Sequence, residues 1–223
     1  MLNRVIDPLE DKYLSPDWLR SALITIDVQR DFSLEGAVAE IPGTMKAVKN
    51  IQVMLAAYRK KSLPIFHVVR IYLDDASNVD ICRRSAIEFG ARIASPGTEG
   101  SEIVQELLPM PGVNLDHDLL LSGQLQQIAQ NEWVIYKPRF GAFYQTRLDE
   151  FLKDNNISTL VFCGCNFPNC PRTTIYEAAE RDYRIVMATD AVSGLYDKGI
   201  QELSHIGINL MTSDQIVTNL DLL

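Results

Sequence analysis

Ile157-Ser158-Thr159-Leu160-Val161-Phe162-Cys163-Gly164-Cys165-Asn166-Phe167-Pro168-Asn169-Cys170-Pro171 runs from an apolar stretch through a glycine into a proline-stiffened loop. Residues 157–163, rich in β-branched side chains, read as a buried strand closed by Gly164. Pro171 has no N–H to leave unpaired and suits the first turn of a helix reaching Asp182. A strand, a tight loop and a helix in this order make half of a βαβ unit.

The pattern repeats on both sides. Residues 22–28, 64–69, 133–137, 184–189 and 208–211 are further short apolar runs that read as strands. Between 44 and 61, Met45, Val48, Ile51, Leu55 and Tyr58 recur at helical spacing behind Thr44 as N-cap. Residues 145–155 and 200–206 also read as helices, the former with Leu148, Phe151 and Leu152 on one face. This alternation predicts a three-layer α-β-α, Rossmann-like α/β fold with a mostly parallel sheet of about six strands. Residues 1–223 form a single domain, with 1–20 an N-terminal extension. Residues 71–132 lack a clear period and are expected to be a loop-rich insert, either a lid or an interface arm, holding one short helix over 101–108.

Bulk properties narrow the function. A chain of 223 residues buries roughly 70% of its unfolded surface and needs no disulfide or metal to fold. The net charge of −8 disfavours nucleic acid as a partner. No apolar run approaches the ~18 residues of a membrane span, and no apolar signal segment follows Met1. Three of the four cysteines crowd between 163 and 170 without a disulfide framework, which fits free thiols and a cytoplasmic location.

In open parallel sheets ligands sit beyond the carboxyl ends of the strands, and three reactive residues fall there. Cys170 opens a helix, where the dipole and cationic neighbours lower a thiol pKa from ~8.5 towards roughly 3.5–7.5. Loop N–H groups beside it can hold an oxyanion. A packed core thiol is the other reading, and this segment leaves both open. Asp27 ends an apolar strand, where a carboxylate needs a partner or a task, general base being one; a turn residue is the alternative. Lys137 ends the 133–137 run and can pair with Asp27 or lie exposed.

Three blocks then resemble the isochorismatase-like cysteine hydrolases, the family of nicotinamidases and N-carbamoylsarcosine amidohydrolases. They are Asp27-Val28-Gln29-Arg30-Asp31-Phe32, then Lys137-Pro138-Arg139-Phe140-Gly141-Ala142-Phe143, then Gly164 with Cys170 six residues on, followed by Asp190-Ala191. The resemblance spans about residues 22–211. It implies an Asp27–Lys137–Cys170 triad and a cis Cys165–Asn166 peptide that turns the N–H groups of Asn166 and Cys170 towards an oxyanion. It implies hydrolysis of an amide, ureido or carbamoyl C–N bond in a small-molecule substrate, through a thioester and without a cofactor. Family members that cleave a vinyl ether lack the cysteine, so Cys170 favours acyl chemistry; a non-catalytic binding member is the remaining alternative. A homo-dimer or homo-tetramer is also expected.

Substrate contacts expected from position are Gln29, Phe32, Arg70, Phe140, Phe143, Tyr144 and Phe167. Arg70 can grip a carboxylate or form a surface salt bridge. Phe167 stands where the family often has threonine and is expected to reshape the pocket. Metal-binding relatives carry an Asp and two His, whereas residues 67–75 hold only His67, so no metal is expected.

Overall fold

In the computed structural model, which describes residues 8–223, one seven-stranded sheet runs β3-β4-β2-β1-β5-β6-β7. Its strands are β1 (Ser21–Ile26), β2 (Ile65–Val69), β3 (Gln126–Ala129), β4 (Glu132–Tyr136), β5 (Thr159–Gly164), β6 (Arg184–Val192) and β7 (Asn209–Met211). The helices are α1 (Arg30–Ser33), α2 (Thr44–Lys60), α3 (Ile81–Glu88), α4 (His117–Leu121), α5 (Leu148–Asp154), α6 (Cys170–Ala179), α7 (Asp197–His205) and α8 (Ser213–Asp221). Every pairing is parallel except that of β3 with β4.

Side chains alternate across a strand, and β1 shows this cleanly. Leu23 faces a layer holding Ile51, Met54 and Leu55 of α2 and Ile216 and Leu220 of α8. Ala22, Ile24 and Ile26 face the opposite layer with Leu148 and Leu152 of α5, Ile175 of α6 and Leu203 of α7. Burial on both faces explains why β1 and β5 read as continuous apolar runs. No helix among the described residues is long and apolar enough to cross a membrane.

Several elements differ from the sequence reading, among them helices α3 and α4 inside the insert. The extra strand β3 is an antiparallel edge whose polar Gln126 and Gln127 hid its period. Residues 101–108 form two 3-10 turns, Glu99–Ser101 and Gln105–Leu107, instead of a helix. Helix α8 is an addition to the expected elements, and Thr212 and Gln215 form a capping box at its start. The insert also divides. Val104, Leu107, Leu115 and Leu120 belong to the main core. Tyr72, Val79, Ile87 and Ala94 instead gather with Phe32 and Cys165 above the carboxyl ends of the strands.

Away from those ends, Glu132 is held by Arg59 Nε at 2.9 Å and Nη2 at 2.7 Å. His67 Nε2 lies 2.9 Å from the same carboxylate, and His67 Nδ1 pairs with Thr25 Oγ1 at 2.8 Å. Burial opposes ionisation of Glu132, but these bonds overcome it and hold its carboxyl at about 2, against 4.5 ordinarily. Because the folded value is depressed, the contribution of about 3 kcal/mol is present above the ordinary carboxylate range and fades as pH falls towards 2. Glu132→Gln is therefore expected to lower stability by about that amount at pH 7 and to flatten stability between pH 5 and 2, read by urea unfolding across pH.

Candidate active site

The strand order reverses between β1 and β5, since the chain builds outward from β1 through β2 and β4, then from β5 through β6 and β7. A crevice at such a switch point is the usual ligand site of an open α/β sheet. Asp27 follows β1, and the Gly164–Cys170 loop follows β5. Lys137 follows β4, its N–H donating to Val69 O at 3.0 Å.

Asp27 takes a left-handed backbone conformation, φ 53°. Aspartate tolerates this region better than most residues, and the turn takes its side chain out of the strand's alternation. Lys137 Nζ lies 2.9 Å from Asp27 Oδ2, both side chains almost wholly buried. Asp27 Oδ1 is buried and has no hydrogen-bond partner among the described residues. A buried carboxylate oxygen without a partner is costly, and here it lies where a proton can be received.

Cys170 begins α6 and is 3% exposed. Its thiol is pushed up to about 11, by burial first and by the negative charge of Asp27 second, with Lys137 and Arg70 opposing. The sequence expectation of a lowered thiol pKa is therefore corrected. Desolvation and a neighbouring carboxylate outweigh the helix dipole, so the resting group is a thiol that needs a base. Cys165 is also raised, chiefly by burial, and its Sγ lies 2.9 Å from Asp27 O.

The Cys165–Asn166 peptide is cis. Around it, the N–H of Cys165 donates to Ile26 O at 2.8 Å and that of Phe167 to Ser193 O at 2.8 Å. Among the described residues the N–H groups of Asn166 and Cys170 make no such bond. Two unspent donors flanking a thiol form an arrangement able to receive an oxyanion.

Asp27, Phe32, Ile41, Arg83, Cys165, Asn166 and Cys170 line a narrow crevice, partly open to solvent, with a free volume of about 10 Å³. That is about the room one water needs, far below the pockets of drug-sized ligands. Of the expected substrate contacts, Phe32 lines this cavity. Phe140 abuts Arg83, and Tyr144 borders a separate outer groove with Phe140 and Thr173.

The other expected contacts lie outside the lining of this crevice. Gln29 is fully buried; its amide donates to Arg70 O and Ser101 O and accepts from Arg70 N, which spends it on joining β1 to the insert. Arg70 is 1% exposed and pairs with Asp80, Tyr72 Oη and Lys137 O, so it is not a surface residue, while its buried Nε has no partner among the described residues. Phe143 packs beside Tyr183, the rings tilted by 30° with centroids 5.9 Å apart. Phe167 points into the layer below α7, against Tyr196 and Gly199, because the loop turns it away from the crevice. The sequence reading missed Arg83, which lies in the insert with no periodic signal around it.

Both His67 ring nitrogens are taken by Thr25 and Glu132, so this side chain does not suit a metal-ligand role. No group of three or more His, Cys, Asp or Glu among the described residues is placed to hold a metal ion.

Comparison with known proteins gives the same frame. A protein named "probable inactive nicotinamidase" from Arabidopsis thaliana is 30% identical over 203 residues, covering 87% of this chain and 93% of its own. The N-carbamoylsarcosine amidase of an Arthrobacter species is 26% identical over 208 residues, covering 92% of this chain and 72% of its own. The crystal structure of an isochorismatase family protein from Desulfovibrio vulgaris superposes with a TM-score of 0.76 at 31% identity, over 91% of this chain and 98% of that one. The isochorismatase domain model matches residues 21–115 and 116–216. With nearly the whole sheet inside those two segments, the chain belongs to the isochorismatase family of hydrolases.

Proposed function

We propose that the protein is a cysteine-dependent hydrolase that cleaves an amide, ureido or carbamoyl C–N bond of a small metabolite through a thioester on Cys170. One observation carries this reading: Asp27, paired with buried Lys137 and with one carboxylate oxygen free of hydrogen-bond partners among the described residues, lines the same crevice as the Cys170 thiol. Asp27 takes the thiol proton as Cys170 Sγ bonds to the carbonyl carbon. The carbonyl oxygen becomes an oxyanion facing the N–H groups of Asn166 and Cys170. The C–N bond then breaks, and the amine leaves with the proton held by Asp27. Water, deprotonated by Asp27, cleaves the thioester and restores the thiol.

Lys137 serves two ends. It offsets the charge of Asp27 in a dry site, and it adds positive potential where negative charge develops. The raised thiol pKa agrees with this scheme, because proton transfer is coupled to attack and does not precede it.

The test is a panel of small amides and ureido compounds followed by amine release and intact-mass spectrometry. Turnover with a transient acyl mass on Cys170, absent in Cys170→Ala, is the expected result. Vinyl-ether cleavage that survives Cys170→Ala would contradict it. The Arabidopsis relative named inactive favours a second reading, a non-catalytic binding member. That reading requires a compound to bind without any acyl mass appearing.

A further inference from the structure

Helix α3 turns an apolar stripe to solvent. Ile81 is 86% exposed and Phe89, which ends the helix, 91%. At about 3.6 residues per turn, Ile81, Cys82, Ser85 and Phe89 fall within about 100° of one another around the helix axis. Ile87, the only buried residue of the helix, lies on the opposite side. Exposed apolar residues scattered singly are ordinary, but two large ones gathered on one short helix mark a contact surface. The small Cys82 and Ser85 between them let a second helix approach closely.

The outer groove opens beside the start of the same helix. Ile81, Cys82, Phe140 and Tyr144 give it apolar walls, and its free volume is about 460 Å³, against the ~150 Å³ that accepts a benzene ring. Arg84 and Arg139 line it as well. Among the described residues neither forms an ion pair, and Arg84 Nε is buried without a hydrogen-bond partner. The two carboxylates in the groove are engaged elsewhere, Asp80 by Arg70 and Glu177 by the N–H of Phe143 at 2.9 Å. Glu88, exposed at the far end of α3, also forms no ion pair among the described residues.

Knob and hole thus sit at opposite ends of one helix, with about 12 Å of helix between Phe89 and Ile81. Two copies of α3 packed antiparallel about a twofold axis at Ser85 bring Phe89 of each to Ile81 of the other, at the groove. The same operation brings Glu88 to Cys82, beside the cations Arg84 and Arg139. A face that complements itself in shape and in charge is what an isologous contact requires. We infer that α3 and the adjoining groove form a homodimer interface, with a second copy of this chain as the occupant. This makes α3 the interface arm of the insert, and it is independent of the role of Cys170.

Sedimentation velocity of the full chain tests this. One helix and one groove make an interface at the small end of stable contacts, so a dimer should form between about 1 and 100 µM. Phe89→Lys removes the ring and sets an ammonium against Arg84 and Arg139. It should raise the dissociation constant roughly 30-fold or more, the weight of an aromatic anchor. Glu88→Lys should weaken the dimer as well, more at low salt than at high. Both side chains are exposed in the single copy, so the fold should be unchanged, which circular dichroism checks. Ser85→Cys in a Cys82→Ser background reads the geometry: thiols on the axis should be joined by a short bis-maleimide, and far less so when Phe89→Lys is added.

A dimer that Phe89→Lys dissociates and that cross-links through Ser85→Cys is the expected result. A wild type that stays monomeric to about 100 µM would overturn the proposal and leave the stripe to a partner of another kind. A dimer or larger assembly unaffected by Phe89→Lys and Glu88→Lys would also overturn it, because the copies would then meet through another face.

Discussion

Asp27→Asn should reduce turnover by roughly 10²–10⁴-fold, the usual weight of a general base, and should also destabilise the protein. The two effects have separate causes. Turnover falls because asparagine offers no carboxylate oxygen to take the proton that burial and charge hold on Cys170 up to about 11. Stability falls because Lys137, fully buried, loses its counter-ion at 2.9 Å, a loss that costs about 3–5 kcal/mol in buried pairs. The double variant Asp27→Asn/Lys137→Met removes both charges and should recover most of the stability while turnover stays lost. Urea unfolding and initial rates measured on the same preparations check this. Recovery of both together would make Asp27 a structural residue only.

Gly164→Ala should prevent stable folding. At φ +115° and with a Cβ that would meet Ile26 O at 2.2 Å and Ile26 N at 2.5 Å, alanine has nowhere to go, because the obstructing atoms are backbone. Those atoms belong to β1, which pairs with Gly164 in register and leads directly into Asp27. Moving them would part β1 from β5 at the switch point. A loss above about 4 kcal/mol, the range reserved for such steric conflicts, is expected by thermal unfolding or as failure of soluble expression. Gly36→Ala is the control. Gly36 also has a positive φ, +75°, but nothing lies within 4 Å of its added Cβ, so only the backbone penalty of about 1 kcal/mol remains.

The sheet and the three strand-end residues were legible because burial writes itself plainly into sequence. A doubly covered strand must be apolar, so a carboxylate or ammonium where β1 and β4 end stands out against it. The network around Gln29 was not legible. Its amide is satisfied by Arg70 and by Ser101, 72 positions away, and no local pattern reports a partner across that distance. Arg70 was misjudged for the same reason, since Asp80 reaches it from the insert. The direction of Phe167 depends on a loop whose backbone decides which side chain faces the crevice, and loop residue types do not encode that. The thiol pKa was misjudged because a helix N-terminus can be read from Pro171, whereas depth of burial cannot. The start of α8, in contrast, is written in the sequence as the capping box of Thr212 and Gln215.

The measurement closest to the central claim is the pH dependence of Cys170 alkylation by iodoacetamide in wild type and Asp27→Asn, with exposed Cys82 as the reference within the same chain. In wild type the Cys170 rate should still be climbing at pH 10, towards the value of about 11 that burial and Asp27 impose. In Asp27→Asn the carboxylate is gone and Lys137 remains, so the profile should move to lower pH and labelling at pH 8 should become faster, even as turnover collapses. Cys82 should label alike in both. Superimposable Cys170 profiles in the two proteins would mean that Asp27 and Cys170 do not share a proton, and the account of this site would be wrong.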